Sequence, residues 1–487
     1  MSNKDAQTRP VARKPRGFPD KSASILAAER RLVDAITGVY ARWGFEGLDT
    51  GPFEYVDALG KFLPDTDRPN EGVFALQDDD EQWIALRYDH TAPLARYVAE
   101  NWDRLVKPYR RYAAGPVWRN EKPGPFRFRE FIQCDADTVG ASGPAADAEM
   151  IAVAAEAMAA AGAAPGEFVI RVNSRTLLDA VMAEAKVADG QRGTVLRALD
   201  KFDRLGAEGV RDLLGAGRKD ESGDFTPGAG LSAPQIDRLQ AFVSSGASDR
   251  SATIDALANL LGGSELGEAG VRELAAIDEI LGAMGVPQAA VAFDPGIVRG
   301  LEYYTGPVFE AEFLRTFTDA DGRAVRFGSV GGGGRYDGLV ARFRGEAAPA
   351  TGFSVGVSRL AAAMAAAEEV KADGPVLVLV LDKDQVADYA AMAAELRAAG
   401  VRAEIYLGAS GMRAQMKYAD RRGAPAVVIV GENERQAGIV TVKDLKAGAE
   451  AAKSLTDNEA WRTERPGQFE CPRAELVARI KALAEAS

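Results

Sequence analysis

The 487-residue chain has one histidine, His90, and only two cysteines, Cys134 and Cys471. A single histidine excludes a multi-histidine zinc site, and any Ser-His-Asp triad would have to use His90 itself. Two cysteines cannot build a disulfide framework or a cysteine-rich metal centre, so no metal ligands are assigned and a reduced, cytoplasmic setting is expected. No apolar run reaches about 18 residues, so no membrane-spanning helix is expected. Met1–Arg16 is polar and lacks the apolar stretch of a secretory signal. No G-x-x-x-x-G-K-[ST] phosphate loop occurs, so nucleotide chemistry would need another scaffold.

What is present is an apolar content of 47%, ample for two or three cored domains at this length. The net charge of −12 argues against a nonspecific nucleic-acid coat. The charge is uneven, however. Arg104, Lys107, Arg110, Arg111, Arg119, Lys122, Arg127 and Arg129 face only Glu121 across 104–129, a net +7. Met1–Arg16 nets +4, and Pro375–Ser487 is neutral. A polyanion could meet these surfaces while the acidic remainder faces water.

Residues 1–16 read as a flexible basic arm. Ser24–Trp43 has helical periodicity through Ile25, Leu26, Leu32, Ile36, Val39 and Tyr40. Short strand candidates follow at Leu48–Tyr55, Val73–Leu76, Trp83–Leu86 and Tyr112–Arg119. Short strands joined by loops predict an antiparallel sheet flanked by helices, an α+β domain over 17–370. Ala146–Ala161 is alanine-rich and helix-favouring. Residues 176–284 show helical stretches and glycine-rich breaks without a clear strand, a helical insertion. From 375 to 487 the pattern changes. The apolar run Val376–Leu381 reads as a buried parallel strand, and strands then alternate with helices in the βαβ manner.

Two segments carry chemistry. In Val117–Asp137, Phe131, Gln133, Asp135 and Asp137 share parity on a strand, as do Arg119 and Glu121 on the strand before it. Lys122-Pro123-Gly124-Pro125 turns between them, with Arg127 and Arg129 near the loop. A hairpin face of Arg, Phe, Gln and Asp is a poor hydrophobic core and a plausible pocket for a nucleotide and an amino acid. The second segment, Val298–Glu310, supplies Arg299, Tyr303 and Tyr304. Gly331–Gly338 alone reads as a turn. Arg413, Lys417 and Arg421 fall on one face of a helix.

These segments carry a resemblance. Val117–Asp137 resembles motif 2 of the class II aminoacyl-tRNA synthetases, and Val298–Glu310 resembles the signature loop of the histidyl-tRNA synthetase family. Leu86–Pro93 resembles that family's amino-group segment, and Thr351–Leu360 resembles motif 3, with Ser358 where a glutamate is common. Gly44–Phe53 sits where the dimer-forming motif 1 belongs. Lys417–Asp420 and Val440–Leu445 resemble the family's anticodon-binding domain.

The resemblance implies a histidine–tRNA ligase that makes histidyl-adenylate from L-histidine and ATP, with Mg2+ bridging phosphates, and passes the acyl group to tRNA(His). Arg119 and Arg299 would flank the α-phosphoryl. Asp89, His90, Thr91, Gln133, Asp137, Tyr303 and Tyr304 would surround histidine. Glu121, Arg127, Phe131 and Arg359 would hold ATP. Arg413, Lys417 and Arg421 would meet tRNA, and a homodimer is expected. The short, proline-rich Lys122–Arg129 loop implies a divergent reading of the acceptor end. The rival reading is a regulatory subunit of ATP phosphoribosyltransferase, which resembles the catalytic domain and lacks the anticodon domain.

Overall fold

The computed structural model describes residues 11–59, 72–124, 126–219, 223–247, 249–298, 304–318, 324–367, 374–448 and 467–485. Of the expected basic arm, 1–10 lie outside these. The chain divides into two compact units, Met1–Glu369 and Val370–Ser487.

In the first unit the Ser22 hydroxyl caps helix α1 (Ala23–Arg42) by accepting the Ile25 amide at 3.4 Å. Of the predicted apolar stripe, Leu32, Ile36, Val39 and Tyr40 are buried, while Ile25 and Leu26 in the first turn are exposed. Strands β1 (Glu46–Gly47) and β2 (Phe53–Tyr55), the turn α2 (Val56–Leu59), and strands β3 (Ala75–Gln77) and β4 (Trp83–Leu86) lead to helix α3 (Thr91–Asn101). The hairpin β5 (Tyr109–Trp118) and β6 (Glu130–Val139), helix α4 (Pro144–Ala160) and strand β7 (Phe168–Ser174) follow.

Next come helices α5 (Arg175–Glu184), α6 (Asp189–Leu199) and α7 (Phe202–Leu214), the hairpin β8 (Gly217–Lys219) and β9 (Phe225–Pro227), and helices α8 (Ala233–Val243), α9 (Arg250–Leu261) and α10 (Glu265–Ala283). The 176–284 stretch is therefore helical but not strand-free. Its hairpin has three residues per strand, too few to show a period of two. Strands β10 (Val291–Phe293), β11 (Pro307–Thr318) and β12 (Ala324–Arg335), the turn α11 (Ala341–Arg344), strand β13 (Ala350–Gly356) and helix α12 (Val357–Ala367) complete the unit.

The central sheet runs β1-β5-β6-β13-β12-β11-β7-β10. Every pairing from β5 to β7 is antiparallel, and only the edge strands β1 and β10 join in parallel. Strand β6 sorts its side chains by parity. Cys134 and Ala136 enter the core under α1 and α4, and the Tyr40 hydroxyl donates to the Cys134 carbonyl at 3.2 Å. Gln133 and Asp135 point to the opposite face. The glycine run Gly331–Gly334 lies inside β12 instead of forming a turn, because backbone pairs it on both sides. A Cβ on Gly331 would lie 2.7 Å from the Ser354 carbonyl oxygen.

Arg335, at the end of β12, ties the sheet to two helices. It pairs with Asp147 of α4 and, at 2.7 Å, with Glu273 of α10. Burial pushes the Asp147 carboxyl up to about 6, against the pull of Arg335.

The second unit contains strand β14 (Val376–Val378), helix α13 (Val386–Ala398), strand β15 (Ala403–Ile405), helix α14 (Met412–Arg422), strand β16 (Ala426–Ile429), helix α15 (Glu432–Ala437), strands β17 (Ile439–Asp444) and β18 (Gln468–Pro472), and helix α16 (Leu476–Glu485). Its sheet order is β15-β14-β16-β17-β18. The first three strands are parallel, and the last two add on antiparallel.

Arg335→Met should lower the stability of the catalytic unit by about 3–5 kcal/mol, because it leaves the buried Asp147 unpaired. Urea denaturation checks this; an unchanged midpoint would show that the triad contributes nothing.

Candidate active site

A cavity of about 1210 Å³ opens on the face of the sheet opposite α1. Its floor is β6, β12 and β13, and Gly331, Gly332 and Gly333 leave the middle of that floor without side chains. A further wall comes from the helical insertion through Arg197, Lys201 and Thr226.

Arg119, just past β5, reaches the cavity with its guanidinium held from two sides. Its Nε donates to the Tyr88 carbonyl at 3.2 Å, and the guanidinium lies 5.3 Å from the Phe131 ring centroid. Asp89 stands at the start of α3. Its Oδ1 accepts the amides of Thr91 (3.0 Å) and Ala92 (2.9 Å), so the helix end fixes the carboxylate while Asp89 and Thr91 still line the cavity. Burial raises the Asp89 carboxyl, and its backbone hydrogen bond opposes this.

Gln133, Asp135 and Tyr304 line the same chamber. Burial pushes the Tyr304 hydroxyl up, with the Asp137, Asp89 and Asp135 carboxylates adding to it. Neutral at pH 7, this phenol can donate or accept a hydrogen bond.

At the other end, Glu121, Arg127, Phe131 and Arg359 border the cavity. Arg359, on the first turn of α12, donates to the Phe327 carbonyl at 3.2 Å and sits 5.7 Å from that ring's centroid. Phe126, at the tip of the β5–β6 loop, packs on Phe327 at 4.8 Å between centroids. Ser358 accepts the Ile132 amide at 3.0 Å and donates to Glu29 of α1, which also pairs with Lys21 at 2.9 Å.

Two expected site residues lie off the cavity wall. His90 does not line the cavity. Its ring is buried behind the wall, Nε2 bonds the Gly115 carbonyl at 3.3 Å, and its own carbonyl accepts from Arg111 at 2.8 Å. Burial, then Arg111 and Arg87, push its imidazole down to about 4, so it is neutral at pH 7. Asp137 also lies off the cavity wall. It pairs with Arg111 at 2.9 Å, accepts from the Tyr336 hydroxyl, and packs so close to Gly352 that a Cβ there would collide with its carboxylate. Burial pushes its carboxyl up to about 6. Parity gives the face of a strand residue but not whether the cavity extends that far along the strand.

Arg299 and Tyr303 lie outside the described residues. Tyr88, Glu310 and Ser354 also line the cavity; each lies within a segment that carries the resemblance without being singled out in it, whereas Asp135 is signalled by parity alone. In the second unit, Arg413, Lys417 and Arg421 are exposed on one face of α14, as their spacing predicts.

A family model described as histidyl-tRNA synthetase matches residues 17–360, and one described as anticodon binding domain matches 375–465. A curated histidine–tRNA ligase of Caulobacter vibrioides is 59% identical, over 97% of both chains. One from Brucella ovis is 54% identical over 98% of this chain and 96% of its own. The crystal structure of histidyl-tRNA synthetase from Nostoc sp. PCC 7120 superposes with a TM-score of 0.75 at 27% identity, covering 97% of this chain and all of that one. Among the described residues, no helix is long and apolar enough to cross a membrane. Two family models in sequence order, full-length relatives above half identity and the class II sheet together decide the assignment: the chain belongs to the histidyl-tRNA synthetase family.

Proposed function

We propose that the cavity binds L-histidine and ATP side by side, joins them as histidyl-adenylate, and then passes the histidyl group to tRNA(His). The chain is an ATP-dependent histidine–tRNA ligase. The observation that carries the residue-level reading is the convergence of Asp89, Thr91, Arg119, Gln133 and Arg359 on one cavity.

The α-carboxylate of a free amino acid is fully ionised at pH 7 and is already a nucleophile, so the first step needs no protein base. The work is alignment and stabilisation of charge on the α-phosphoryl. Arg119, immobilised by the Tyr88 carbonyl and Phe131, is suited to that charge, and by family pattern Arg299 joins it. Phe131 offers its ring to adenine, Glu121 its carboxylate to the exocyclic amine, and Arg127 and Arg359 their charge to the outer phosphates. Asp89 and Thr91 suit the α-ammonium of histidine.

Among the described residues no three carboxylate, imidazole or thiol groups cluster to hold a metal. Magnesium would arrive on the triphosphate, with Glu310 as a cavity carboxylate able to support it. There it would neutralise phosphate charge. Cytoplasmic work suits two buried, unpaired cysteines. An ATP phosphoribosyltransferase regulatory role is less well supported, because 375–465 match an anticodon-binding domain.

Strands β2, β4 and β3 form a small sheet in which Tyr55 pairs with Ile84 and Ile84 with Leu76. Phe53, Tyr55 and Leu76 share one face and are 42%, 55% and 47% exposed. Covering this apolar face with a second copy would complete the homodimer.

Labelled pyrophosphate should exchange into ATP only when histidine is present; exchange absent with histidine would end this reading. Arg119→Ala should slow that exchange by ~10²-fold or more. Gln133→Ala should raise the histidine requirement more than the ATP requirement, and equal effects would remove it from the amino-acid site. Lys417→Glu should raise the KM for tRNA about tenfold with exchange unchanged, as for a phosphate-contacting cation. A Tyr55→Asp, Leu76→Asp double variant should sediment as a monomer where the parent is a dimer; equal sedimentation would place the interface elsewhere.

A further inference from the structure

Residues 11–18 carry Arg13, Lys14 and Arg16 and no acid. All three cations are exposed, and with Pro15 they line a shallow recess of their own. Lys14 meets Asp20 at 3.8 Å with both side chains open to water, a contact too weak to hold it.

The turn that follows these cations is docked. The Phe18 amide donates to the Pro15 carbonyl at 3.2 Å and closes it. The Gly17 carbonyl accepts the Arg129 amide at 2.9 Å, and Phe18 packs on Phe74 at 5.6 Å between ring centroids. Gly17 has a φ of +87°, and a Cβ there would lie 2.8 Å from Arg129 Cγ, so glycine lets the turn sit this close to the β5–β6 loop. Arg129 is itself fixed. Its Nε donates to the Glu121 carbonyl at 3.0 Å, and its guanidinium lies 5.9 Å from the Phe74 centroid. Arg127 and Phe128, just before it, border the cavity. The basic segment is thus anchored on the flank of that loop, at the nucleotide end of the cavity.

We propose that Arg13, Lys14 and Arg16 contact phosphates of the acceptor stem of the tRNA being charged. This rests on reading the cavity as the site of a histidine–tRNA ligase. The acceptor end must enter the cavity to take the acyl group, so the duplex behind it has to lie across the rim. The β5–β6 loop forms part of that rim, but it is short and its Arg129 is committed to Glu121 and Phe74. The docked turn sets three further cations alongside. Exposed cations read no bases, yet they fix where a backbone lies. Each phosphate they neutralise releases counterions, so the contact is strongly salt-dependent. On a chain of net charge −12, a local cationic strip also steers a polyanion to one place.

The test uses the full-length protein with Arg13→Gln, Lys14→Gln and Arg16→Gln combined. At fixed salt the KM for tRNA(His) should rise at least tenfold. The slope of log Kd for tRNA against log salt should flatten by roughly 2–3. In pyrophosphate exchange the KM values for histidine and ATP should stay within twofold. Ethylnitrosourea mapping of the bound tRNA should show lost phosphate protection in the acceptor stem, with the anticodon arm still protected. Arg30→Gln, Arg31→Gln, which neutralises two exposed cations of α1 behind the sheet, should change none of these. An unchanged tRNA KM, an equal loss in the α1 variant, or lost protection at the anticodon arm overturns the proposal. So does a raised ATP KM, which would give these cations to the nucleotide. Failure of the parent protein to charge tRNA(His) would instead sink the reading on which the proposal rests.

Discussion

The guanidinium of Arg119 is held between the Tyr88 carbonyl and the face of Phe131, and the account of the site depends on this immobilised charge. A mobile cation in water would have to reorganise as charge develops on a phosphoryl group. One already fixed at the edge of a cavity contributes without that cost. The neighbouring elements serve the same end. The β5–β6 hairpin carries Arg119 and Phe131 together, α3 fixes Asp89 by its first amides, and the loop tip at Phe126 meets Phe327 beside Arg359. An enzyme that works by placement and fixed charge has little need of imidazole. The chain's single histidine is buried and neutral, and its carbonyl receives Arg111.

Behind the cavity, Arg111, Asp137, Tyr336 and His90 form a buried polar layer that touches the pocket only through its wall. Such a layer is costly to desolvate and contributes little net stability. Its geometry is specific, and that specificity is passed to β6, the strand that presents Gln133 and Asp135. Ser358 plays a comparable part at the nucleotide end, joining the Ile132 amide to Glu29 of α1.

Much of this was legible in the residues. The stripe on α1, the hairpin with Arg119 and Glu121 on one strand and Phe131 and Gln133 on the other, and the cationic face of α14 follow from periods of 3.6 and 2. The class II sheet and the helical insertion were legible because their strands and helices differ in character. Other features depend on contacts distant in sequence. Gly331–Gly334 is a strand because β11 and β13 flank it, and no local rule distinguishes that from a turn. Asp137 has the parity of a pocket residue, but Arg111 and Tyr336 claim it. Tyr88 serves through its carbonyl, so its side-chain identity gave no signal. The β8–β9 hairpin is too short for any period.

The claim most open to a direct check is that adenylate formation runs on fixed charge without proton transfer by the protein. Single-turnover formation of histidyl-adenylate, at saturating histidine and magnesium-ATP, can be followed from about pH 7 to pH 8.5, where a general base would reveal its titration. The account predicts a rate constant flat across that range, since the nucleophile is a carboxylate and the arginines stay charged. A rate constant that climbs along a single titration curve in that range would reveal a protein base, and would contradict it.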